Sequence, residues 1–187
     1  DEKVYIPINV PMYSGCYYGY DLAEPTGVRI NAPSAWQRDS VTVRFEGGND
    51  TGTSLPDWSA TPGDYGSGIH HEYSINGGAW TGCPTNDPTV VISTAGVTTI
   101  TARVVDGAGN ASSQTVTAQV RIDNAVPNVP GITLSTEQWT NGTVSVALHD
   151  NGDSQSGIAR LEYALDGGAW TTYSSAVSAM SHGRHAI

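Results

Sequence analysis

Glu72-Tyr73-Ser74-Ile75-Asn76-Gly77-Gly78-Ala79-Trp80-Thr81 is written again as Glu162-Tyr163-Ala164-Leu165-Asp166-Gly167-Gly168-Ala169-Trp170-Thr171. Seven of the ten positions are identical, and Ile75/Leu165 and Asn76/Asp166 exchange like for like. Tyr73 and Ile75 alternate with Glu72 and Ser74, which makes one strand face apolar and the other wet. Asn-Gly-Gly and Asp-Gly-Gly supply the positive φ of a tight β-turn, so each copy reads as a hairpin. Trp80 and Trp170 fall on the return strands, where a large aromatic can cover the open end of a small β core.

A repeat at this spacing governs the domain count. Ser67 matches Ser156 and Trp36 matches Trp139, so the first copy carries about 14 extra residues between these landmarks. The 187 residues divide into an N-terminal strand and Tyr/Gly-rich linker (1–22), a first module (23–124) and a second module (125–187). In the first module short strands are expected at 28–30, 41–45, 69–75, 79–81, 90–92, 98–105 and 115–122, with a Gly/Asp/Pro loop over 46–66. The modules meet at Asp123-Asn124-Ala125-Val126-Pro127-Asn128-Val129-Pro130, a joint stiffened by two prolines that should set them end to end. The second repeats the pattern at 132–134, 144–148 and the hairpin. Arg184-His185-Ala186-Ile187 matches only the start of the strand at 98–105, so the second module is expected to lack about two strands. Many short strands divided by turn residues, in units of this size, give an all-β fold of tandem immunoglobulin-like β-sandwiches, the second truncated.

Composition narrows function. Charged residues are 14% and the net charge is −10, which disfavours nucleic acid and anionic membranes as partners. No stretch approaches a membrane span, and the N-terminus carries no signal peptide, so the chain reads as a piece of a longer precursor. The two cysteines, Cys16 and Cys83, are too few for a metal knuckle. An even count fits one disulfide between them, which is expected if the chain is extracellular.

Val104-Val105-Asp106-Gly107-Ala108-Gly109-Asn110 resembles the V-x-D-x-A-G-N turn of bacterial Ig-like repeats from large secreted or cell-surface proteins. The two hairpins are similar to the Y-x-x-D-G-G-x-W hairpin of the same repeats. The resemblance covers most of 25–187. It implies a stalk, a spacer beside catalytic domains, or an adhesive segment, extracellular and partnered by neighbouring repeats, with a host or polysaccharide ligand. The 46–66 loop and the Tyr-rich N-terminus depart from the pattern.

No fingerprint of catalysis occurs. There is no HExxH, P-loop, dinucleotide motif or Gly-x-Ser-x-Gly elbow. His70 and His71 are adjacent on a strand and point to opposite faces, so they cannot share a metal. The protein is therefore expected not to be an enzyme. Calcium is the candidate ion, because hard cations want oxygens clustered in short Gly-bearing loops. Its candidate ligands are Asp106, Asn110, Asp123, Asn124, Asp150 and Asp153. The plainer reading is that these side chains make turns by bonding their own backbone. An alternative function is a carbohydrate-binding accessory region of an extracellular glycoside hydrolase, with Tyr17, Tyr18, Trp58 and Tyr65 as sugar platforms.

Overall fold

The computed structural model describes residues 21–50, 68–179 and 182–187. The strand at 3–10, the Tyr/Gly run and the loop at 51–67 lie outside the described residues. Among the described residues the fold is all-β, without a helix, and so without a helix long and apolar enough to cross a membrane. In chain order the strands are β1 (Thr26–Asn31), β2 (Val41–Asn49), β3 (Ile69–Ile75), β4 (Thr81–Gly82), β5 (Thr89–Ile92) and β6 (Gly96–Asp106). There follow β7 (Val116–Ile122), β8 (Gly131–Leu134), β9 (Val144–His149), β10 (Glu162–Tyr163), β11 (Thr171–Thr172) and β12 (Val177–Ala179). They form sheets of order β1-β2-β5, β4-β3-β6-β7, β12-β9-β8 and β10-β11.

Contacts group the chain into two units. Among the described residues the first comprises residues 21–31, 44–50, 68–89 and 101–117. Strict alternation builds its interior: Phe45, Ala102 and Val104 are buried while Arg44 and Arg103 point away. Phe45 on β2 stacks on Tyr73 of β3 with ring centroids 5.5 Å apart and planes 9° from parallel, so two sheets meet face to face here. β2 runs on past the expected end at Phe45, through Gly47 and Gly48 to Asn49, pairing Thr26 with Asn49 and Val28 with Gly47. Gly48 explains the extension. Its φ is +106°, and a Cβ there would lie 2.2 Å from Ile69 Cδ1. Only glycine lets the strand bend this close to its neighbour. On the other face, Arg103 bonds Glu72 through Nε and Nη2 at 2.8 and 2.7 Å and lies 4.2 Å over the Trp80 ring. Trp80 thus forms an outer cluster under a guanidinium, rather than a lid over the core.

The second unit comprises Ala32–Val43, Val90–Ile100 and Ala118–Ile187. Its buried hydrophobic residues include Val41, Val43, Ile92, Ile100, Val120 and Ile122. From β8 onward only Val146 and Leu148 are buried hydrophobics among the described residues. Gln37 bridges Ile122 in parallel, its N–H donating to Arg121 O at 2.9 Å and its carbonyl accepting from Asp123 N at 2.8 Å.

The two hairpins have the same local structure. Asn76 and Gly77 have φ of 50° and 73°, and Asp166 and Gly167 have 52° and 72°. Gly78 N donates to Ile75 O, and Gly168 N to Leu165 O, both at 2.9 Å. Two successive positive φ closed by that bond make a type I′ turn in each. Tyr73 faces Thr81 as Tyr163 faces Thr171.

Candidate functional site

β6 ends in a turn closed by its own side chains. Asp106 Oδ1 accepts from Asn110 N at 2.8 Å and Oδ2 from Asn110 Nδ2 at 2.7 Å. Val105 bridges Ala111, and Ser112 N donates to Val104 O, so the chain returns at once. Asp106 is 2% exposed. Burial pushes its carboxyl pKa up, but hydrogen bonds from the Asn110 side chain and from the amides of Asn110, Gly109 and Ala108 outweigh it and hold the pKa low. A buried, ionised carboxylate is the result.

Asp21 and Asp50 join it. One carboxylate oxygen from each of Asp21, Asp50 and Asp106 lies within 4.8 Å of the other two. Asn110 Nδ2 also donates to Asp21 O at 3.0 Å, and Gly68, whose carbonyl accepts from Gly107 N of the turn at 2.9 Å, donates its own N–H to Asp50 Oδ2 at 3.1 Å. Calcium holds oxygens at about 2.3–2.6 Å, so ligands of one ion stand up to ~5 Å apart, and the three carboxylates meet that spacing. Sequence reading found Asp106 and Asn110 but missed Asp21 and Asp50. Neither carries a local motif; only long-range folding brings them to the turn.

Asp123, Asn124 and Asp153 come together elsewhere, lining a groove of about 260 Å³ with Arg38 and Ser156. The carboxylates of Asp123 and Asp153 accept from backbone amides. Asp123 Oδ1 accepts from Ala125 N at 3.0 Å and Oδ2 from Ser156 N at 2.9 Å, and Asp153 Oδ1 accepts from Gln155 N at 2.8 Å. Hydrogen bonds from Ser156 come first among the causes that hold the Asp123 pKa low. This is the turn-making use of aspartate. Asp150 is exposed at the end of β9 and lines neither place.

No family model and no curated protein matches this chain. Cys83 is a free, buried thiol, and burial with the nearby Glu72 charge pushes its pKa up to about 11. Cys16, Tyr17, Tyr18, Trp58 and Tyr65 lie outside the described residues. His71 Nε2 meets Gly47 O at 2.9 Å while His70 Nε2 stands 3.7 Å from Glu72, so the adjacent histidines engage different neighbours.

Proposed function

We propose that the chain is a non-catalytic pair of Ig-like modules, serving as a stalk or adhesive segment of a larger secreted or surface protein. The observation that carries this reading is the repeated hairpin: same turn, same register, same φ pair. Duplicating a structural unit extends a chain without needing a new active site. In this reading calcium stiffens the β6 turn, with Asp106, Asp21 and Asp50 as the residues that would hold it.

Single-molecule stretching tests the proposal. Residues 26–122 should resist as one body and then release on the order of 300 Å of chain in a single step. Featureless extension would overturn it, and saturable binding to a polysaccharide array would favour the accessory-module alternative. Excess chelator should lower the rupture force of the parent protein and leave an Asp21→Asn variant unchanged. Equal forces with and without chelator would remove calcium from the reading.

A further inference from the structure

The sequence holds one aspartyl–prolyl bond, Asp87-Pro88, and it lies in the loop between β4 and β5. Such a bond is labile for reasons written in its own atoms. The aspartate carboxylate reaches its own main-chain carbonyl carbon through a five-membered ring, so the attacking group is always close. The proline nitrogen belongs to a tertiary amide with a ring strained against planarity. It takes up a proton more readily than other amide nitrogens and leaves more easily.

The fold adds three features to this chemistry. Thr89 N donates to Asp87 O at 2.8 Å, and Thr89 Oγ1 donates to the same oxygen at 3.4 Å. The backbone bond closes a γ-turn over Pro88, and the fixed φ of proline makes it the inverse form. Both donors thus sit on the oxygen where negative charge gathers when the Asp87 carbonyl carbon is attacked. Second, Arg44 Nη1 stands 3.0 Å from Asp87 Oδ1, with the two side chains 51% and 61% exposed, so the paired carboxylate is within reach of water. Third, the chain is anchored on each side of the bond. Cys83 N donates to His71 O at 2.8 Å upstream. Downstream, Pro88 O accepts from Phe45 N at 2.8 Å and β5 continues as a neighbour of β2.

We infer that Asp87-Pro88 is a self-cleavage site, at which the folded chain cuts itself in mild acid and stays assembled. A carboxylate oxygen of Asp87 attacks the Asp87 carbonyl carbon. The C–N bond to Pro88 breaks, and its electron pair stays on the proline nitrogen, which takes a proton from solvent. Asp87 is left as a cyclic anhydride, and one water opens it to a side-chain and a terminal carboxyl group. The balance is one peptide bond and one water consumed, one C-terminal aspartate and one N-terminal proline formed. Arg44 then faces two carboxylates in place of one, which favours the cut state. Acid is the trigger because the leaving nitrogen must be protonated. β4 and β5 carry no ionisable residue, and among the described residues Arg44 of β2 is the charged partner of Asp87. Cys83, in the same loop, stays an uncharged thiol in acid, its pKa pushed up to about 11 by burial and then by the Glu72 charge.

The test incubates the whole protein at about pH 5, above the range in which folded carboxylates titrate, and follows it by mass spectrometry. Fragments 1–87 and 88–187 are expected, their masses summing to the intact chain plus one water. Without denaturant they should elute together as one species in gel filtration. The same protein in urea at the same pH should be cut at least ~10-fold more slowly, because the placed donors are lost. An Asp87→Glu protein keeps a carboxylate for Arg44 but needs a six-membered ring, and it should yield neither fragment while its circular dichroism shows the fold intact. A Pro88→Ala protein should likewise stay whole. An uncut wild-type chain after a month would overturn the inference. So would equal rates with and without urea, which reduce the site to the ordinary lability of its bond, or equal cutting of the Asp87→Glu protein. Fragments that part without denaturant would overturn the assembled state.

Discussion

The sheet β1-β2-β5 and the sheet β8-β9-β12 have the same strand order, yet their interiors differ. β2 buries Val41, Val43 and Phe45; β9 buries Val146 and Leu148, and Val144 stays half-buried. The first stretch has β6 and β7 alongside β3, whereas among the described residues no third strand pairs with β10 and β11. A sheet's apolar residues become a core only when a second layer covers them, so equal patterning yields unequal burial. The hairpin itself is indifferent to this, because a type I′ turn is set by its own two residues.

Hydrogen exchange should show the largest contrast. Amides of β8–β12 are expected to exchange orders of magnitude faster than those of β2, β6 and β7, since local opening follows buried contact. Equal protection would break the comparison outright. Next comes the cost of truncating each core. Phe45→Ala removes a fully buried ring stacked on Tyr73 and should cost about 3–5 kcal/mol, whereas Leu148→Ala, in the thinner interior, should cost nearer ~2 kcal/mol. Chemical denaturation read by probes in each region separates the two. A larger loss at Leu148 would mean that the second sheet is better covered than its burial shows.

Gly48→Ala sharpens the comparison on the β2 side alone. The new methyl combines a φ of +106° with a collision at Ile69, so a loss of about 1–3 kcal/mol is expected, confined to unfolding of β1–β7. An unchanged midpoint would show that β2 and β3 can separate freely.

Acid provides the mildest test. Asp106, Asp123 and Asp166 all have carboxyl pKa values held low in the fold, Asp166 first of all by its hydrogen bond from His185. An unfolded aspartate titrates near ~3.9. The stabilisation is therefore complete above that pH and is lost as pH falls through the lower folded values. Melting temperature should be insensitive to these groups above about pH 5 and drop below ~4. Asp166→Asn should flatten only the small part of that drop reported from β10–β11.

Strand placement was legible wherever alternation ran long, as at Val41–Phe45, Thr98–Val105 and Val144–Leu148. It failed at Glu46–Asn49, because Gly47 and Gly48 read as loop residues when their lack of a side chain is what lets β2 continue past Ile69. Trp170 is the more exposed of the two hairpin tryptophans, 73% against 37% for Trp80. The last apolar positions of the two strands run the other way: Leu165 is half-buried, while Ile75 is 37% exposed. Residue identity alone does not say whether a hairpin's last apolar position turns toward a core or over an edge. The site was half legible. Asp106 and Asn110 stand four apart in a turn motif, but Asp21 and Asp50 reach them only through the fold.

A hairpin written twice also gives β6 a second hairpin of like sequence to mispair with during folding, and repeat proteins are prone to such errors. Order of synthesis separates them. β3 is complete before β6 begins, and 55 residues, 107–161, lie between the end of β6 and the start of β10 at Glu162. At about 5–20 residues per second on the ribosome, β6 has ~3–11 s with β3 as its sole acceptor. Refolding from denaturant removes that head start, since both hairpins then form together within microseconds. Yield of correctly paired protein should thus depend on whether the chain is made from one end or released all at once.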